Sequence, residues 1–226
     1  MKTVDANRKE PDRKDTKDET FQLASDRRPS TVVGFRPESL LAPWSRWANR
    51  FIIAAIAQGA LAVGVSAYLL YDAVYDTPGA AKIVASGGPG TWLTAGYLGF
   101  IVLGPLAAAV TSLFYQHLEV YLRAPYGGLS NVLAWLHIVL MNVGVVGATW
   151  IMMNGGWRGG ALALTLSPSN PSAAYGQVHT QVLGALPPYI ATFAAAAIIG
   201  AIAGGLGYVT AWRKSVKHSI PSEKQW

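Results

Sequence analysis

The chain has 226 residues, 51% of them hydrophobic and 13% charged, with a formal net charge of +6. It contains no cysteine, which excludes disulfides, thiolate zinc sites, iron–sulfur clusters and attached c-type heme; any metal must be held by His, carboxylate or carbonyl groups. Eight of the 12 Asp and Glu fall in residues 1–50, whereas a soluble domain would spread its acids over every exposed face.

In chain order, Met1–Pro37 mixes Lys, Arg, Asp and Glu without the apolar run of a secretory leader, and it is too acidic for an organelle transit peptide. It reads as a disordered cytoplasmic tail. Residues 38–50, with Trp44 and Trp47 near Arg46 and Arg50, suit an interfacial lead-in. Four apolar stretches follow, Phe51–Tyr71, Trp92–Tyr115 (continuing to Leu122), Val132–Met152 and Tyr189–Trp212. Each satisfies the need for roughly 20 residues to cross about 30 Å of hydrocarbon. The expected fold is an all-α integral membrane protein, a bundle of about four transmembrane helices over residues 51–212, with a cytoplasmic tail at 213–226. Gly155–Pro188 reads as an exposed connection, because Ala161–Leu166 is too short to cross and Ser167–Ser172 is rich in proline.

Of the 18 Lys and Arg, 11 precede the first span, and Arg213, Lys214 and Lys217 follow the last. Positive charge stays on the cytoplasmic side, which places both termini there in a multi-pass protein of the cell membrane. The same clustering beside apolar spans favours a lipid surface over nucleic acid as the partner of the basic tails.

Ionisable and amide groups within spans are costly and therefore informative. His117 and Glu119 lie near the cytoplasmic end of the second span, His137 and Asn142 in the third, and Gln58 in the first. The short link through Gly127-Gly128 predicts an antiparallel hairpin, and His117 and His137 are equally far from its middle. One layer could hold Gln58, His117, His137 and the glycines Gly204 and Gly205 of the fourth span. Two imidazoles with glycine opposite would suit a b-type heme, making His117 and His137 its metal ligands. The competing reading is ordinary helix packing, with the histidines as hydrogen-bonding groups and the glycines allowing close approach. Glu119 and Arg123, four residues apart, predict a helix-surface ion pair. His179 reads as a solvated loop residue. No phosphate loop, nucleophile elbow or His-Glu-x-x-His motif occurs, and no catalytic residue is assigned.

Leu113-Phe-Tyr115, the turn at Gly127-Gly128, Leu133-Ala-Trp-Leu-His137, Gly144 and Gly155-Gly-Trp-Arg-Gly-Gly160 together resemble a late helix hairpin of heme-copper oxidase subunit I, over residues 113–160. That family's catalytic subunit has many more spans and a His-x-His pattern before the hairpin, which this chain lacks. The resemblance implies an accessory subunit rather than a complete catalytic one, and it carries no oxidase ligand onto these residues. The expectation is thus a small, non-catalytic membrane subunit of a respiratory, terminal-oxidase-type complex, packing against other membrane subunits and carrying at most one heme b. Its alternatives are a small-solute or ion transporter or channel lined by Gln58, Asn142 and the histidines, and a structural membrane protein with a partner-binding tail.

Overall fold

The computed structural model describes residues 45–124 and 126–219. The predicted tail 1–37, most of the segment 38–50 and the end of the predicted tail 213–226 lie outside them. The described residues form helices without any strand: α1 (Arg46–Tyr75), α2 (Ala80–Val84), α3 (Gly88–Ile101), α4 (Ala107–Gln116), α5 (Leu129–Leu166), α6 (Tyr175–Val178) and α7 (Pro187–Ser219). Wide π turns join α3 to α4 at Val102–Leu106, and extend α4 over His117–Tyr121 and α6 over His179–Leu183. Four helical stretches are long and apolar enough to cross a membrane: α1, the composite Gly88–Tyr121, α5 and α7.

Local chemistry sets the helix ends. The Ser45 hydroxyl accepts the Ala48 N–H at 2.9 Å, capping α1, while its own N–H donates to Gln116 Oε1 at 2.9 Å. Prolines stand in the first turns of α3 and α7, where a missing N–H is harmless. Gly128, just before α5, has φ +59° and ψ −126°, a region that residues with a Cβ avoid. Pro105 sits inside the first π turn, where the wider turn accommodates its ring and its missing donor.

α5 is the central rod. α7 packs along it on one side and α3 on another, whereas α4 packs against α1. The two halves of the composite second helix therefore rest on different partners, and Pro105 marks the changeover.

Several boundaries differ from the sequence expectation. α5 does not stop at Met152 but runs to Leu166, so the exposed connection begins near Ser167 and not at Gly155. Gly155, Gly156, Gly159, Gly160 and Ala163 are buried, with α3, the stretch Ile83–Pro89 and the segment 178–186 as their neighbours. The weak helix propensity of that glycine run is outweighed by this close backbone packing. Arg46–Arg50 already belongs to α1, and Arg213–Ser219 continues α7. The helix after α4 ends at Tyr121, and Arg123 adopts a positive φ of 49°.

Candidate functional site

Two groups of polar residues in the candidate spans contain intramembrane residues that the sequence singles out. In the first, Gln58 of α1 donates through Nε2 to Asn142 Oδ1 of α5, and Asn142 Nδ2 donates to the Ile138 carbonyl. Gln58 is buried, and Gly104 leaves room for its Oε1, with which a Cβ at that position would collide. The pair ties two rods that otherwise share few contacts. Asn142→Leu is expected to destabilise the protein by about 1–2 kcal/mol, because the buried Gln58 amide loses its partner. The double variant Gln58→Leu with Asn142→Leu should recover most of that loss, since neither amide then remains. Thermal unfolding in detergent of both variants checks this.

The second group surrounds His137, which is 8% exposed. The Tyr115 hydroxyl lies 3.1 Å from its Nδ1, and the Phe51 ring lies 5.0 Å from the imidazole and stacks on Tyr115 at 5.0 Å. Trp47 and Tyr126 complete the cluster, each within 6.4 Å of its nearest aromatic neighbours there. At its edge the Arg50 guanidinium stands 4.3 Å from the Trp47 ring and 4.6 Å from the Trp135 ring. The cluster fills the space that opens where α4 leaves α5 for α1.

His117 takes no part. It is exposed and stacks on Tyr121 at 5.7 Å. Tyr115 and His117 are both suitably placed along the hairpin to meet His137, yet two residues are about 200° apart around a helix, and the phase selects Tyr115. Gly204 does face His137, but the imidazole occupies the space its missing side chain leaves, since a Cβ there would collide with Nδ1. Gly205 meets nothing within 4 Å. The residues do not fit a heme held between His117 and His137: one ligand points away, and the glycine space is taken by the other. Among the described residues no group of three or more His, Asp or Glu is placed to hold a metal ion.

Glu119 is used differently from the expected ion pair. Its Oε2 accepts from the Ser45 hydroxyl and its Oε1 from the Tyr126 N–H at 3.4 Å, so it fastens the start of α1 to the link between α4 and α5. Arg123 lies beyond the helix end, where the four-residue spacing no longer brings it alongside. Ser215 of α7 also reaches this link, donating to the Leu122 carbonyl at 2.7 Å. His179 is exposed and lies beside Tyr175, their rings 6.1 Å apart.

Sequence pattern makes Tyr115 no more than the end of the second apolar stretch and leaves Phe51 and Tyr126 without a role. Helical phase across the hairpin was the signal that could have exposed Tyr115. Against protein-family models, curated proteins and solved structures, the chain matches nothing.

Proposed function

We infer that the chain is a multi-pass membrane protein whose four long helices pack against other membrane subunits, within a respiratory complex of terminal-oxidase type. The observation that supports this most is α1. It is 30 residues long, yet only 6% of its most apolar stretch is buried. Ile53, Ile56, Val63, Leu70 and Val74 are all exposed along it. A rod so apolar and so uncovered calls for lipid or partner helices around it.

A packing role suits the polar groups as well. Gln58, Asn142, Tyr115, His137 and Glu119 each bond to another part of the same bundle. With Gln58 and Asn142 bonded to one another, the transporter reading loses two of the groups that would have lined its path. The respiratory assignment itself rests on the resemblance of residues 113–160.

Purification from native membranes is expected to bring down heme-bearing oxidase polypeptides with this chain, and protease protection of tagged protein should place both ends on the cytoplasmic face. Isolation as a homo-oligomer free of such polypeptides would overturn the respiratory assignment. Ends on opposite faces would overturn the four-span topology.

A further inference from the structure

Residues 124–212 contain a single basic residue, Arg158, and no Asp or Glu. Arg158 is exposed on α5 and makes no ion pair or hydrogen bond among the described residues. It lines a pocket of about 360 Å³ between α5 and the turn at His179–Leu183. The other polar side chains of that wall are the amides of Asn154 and Gln181 and the indole of Trp150. Neither amide has a partner among the described residues. Trp150, Asn154 and Arg158 are spaced four apart, so one face of α5 presents all three. Leu186, just before α7, closes the pocket and fills the space beside Gly155.

In the membrane reading, the depth of this face follows from the rise of α5. Trp150 stands about 32 Å along the helix from Leu129, at the edge of about 30 Å of hydrocarbon. Asn154 is about 6 Å beyond it, in the headgroup layer, and the Arg158 backbone about 12 Å beyond. Helical side chains lean toward the N-terminus of their helix, which here sends the long Arg158 arm back toward the lipid surface. A second pocket, of about 350 Å³, shares Trp150 and Asn154 with the first. It is lined mainly by apolar side chains and descends between α1 and α5 from Tyr68, which meets Trp157 at 5.7 Å, to Leu61, about 10 Å deeper.

A cation without a countercharge, two unpaired amides and an interfacial indole, beside an apolar cleft, match an anion carried on an acyl chain. A guanidinium binds phosphate oxygens through paired N–H groups. A choline or ethanolamine head would bring a second cation to a site without a carboxylate, whereas a glycerol head gives both amides hydroxyls to bond. A free anion would leave the cleft unused. We propose that Arg158, Asn154 and Gln181 bind the phosphate and glycerol head of an anionic phospholipid, one of whose acyl chains lies in the cleft between α1 and α5. The proposal rests on the membrane reading above.

The test takes the full chain extracted from membranes and stripped of lipid in detergent, and counts retained lipid by native mass spectrometry during titration. Dioleoyl phosphatidylglycerol is expected to bind saturably and about tenfold more tightly than dioleoyl phosphatidylcholine. Arg158→Gln should lower that affinity about tenfold, and it should fold, because the guanidinium bonds nothing in the protein. Arg158→Lys, which keeps the charge without the fork, should lose less. Lys82→Gln, which removes an exposed charge outside this pocket, should leave the affinity unchanged. Gly64→Leu, at a position open to the cleft, should weaken binding, whereas Gly59→Leu, equally open but outside the cleft, should not. Water-soluble glycerol phosphate should fail to displace the lipid. Equal retention of the two lipids, unchanged affinity in Arg158→Gln or Gly64→Leu, or displacement by glycerol phosphate would overturn the proposal. Release of the chain by alkaline extraction would sink the membrane reading instead, before any lipid is added.

Discussion

Gly156→Ala is expected to destabilise the protein by about 3 kcal/mol, at the upper end of what forced overpacking costs. A Cβ at Gly156 would collide with the backbone N of Leu93, and it would stand 2.8 Å from both the Leu93 Cα and the Pro89 carbonyl oxygen. None of these is the movable end of a side chain. The contact is reciprocal one turn along, where a Cβ at Gly96 would come within 2.8 Å of the Met153 N. α3 can yield only by moving off α5 as a whole. Between apolar rods in an apolar solvent, close packing of this kind is a main source of association. Gly59→Ala is the control: nothing lies within 4 Å of its Cβ, and alanine is the better helix former, so stability should hold or rise by a few tenths of a kcal/mol. Unfolding of both variants in mixed detergent micelles, compared with the wild type, measures the contrast. Equal stability of the two would mean that α3 and α5 do not touch through these glycines.

Phe51→Ala should cost about 2–3 kcal/mol, toward the lower end of large-to-small core changes, because between helices in lipid the cavity cost remains while the transfer from water largely drops out. Phe51 is 1% exposed and forms the wall against which both Tyr115 and His137 rest, each 5.0 Å away. Its loss also leaves the Tyr115–His137 hydrogen bond without lateral support. Phe51→Leu, which refills most of the volume, should recover the greater part of the loss. Unfolding curves of both variants in detergent micelles, compared with the wild type, measure the loss and the recovery.

The number of long helices was legible because apolar run length and charge exclusion are properties of the chain alone. The far end of α5 was not. The run from Gly155 to Gly160 resembles a loop by propensity, and only the backbones packed over it make glycine the fitting residue. Depth in the hairpin was legible, since it follows from counting residues away from Gly127. Helical phase was overlooked, and with it went the choice between Tyr115 and His117 as the neighbour of His137. The Glu119–Arg123 pair failed for a related reason: four-residue spacing means adjacency only while the helix continues, and here it stops at Tyr121. The Phe51–Tyr115–His137 cluster could not be read at all, because it follows from the second long helix changing partner at Pro105, α3 resting on α5 and α4 on α1.

The length of α5 carries a further consequence. Its 38 residues make a rod of about 57 Å, against about 30 Å of hydrocarbon in an ordinary bilayer. In the membrane reading proposed above, with the end at Leu129 seated near one surface, roughly the last 18 residues would rise clear of the other as a stiff mast, with α2 and α6 lashed to it. A soluble protein arriving on that side would meet a preformed deck held at a set height above the lipid. Removing one helical turn from the mast would lower that deck by about 5 Å.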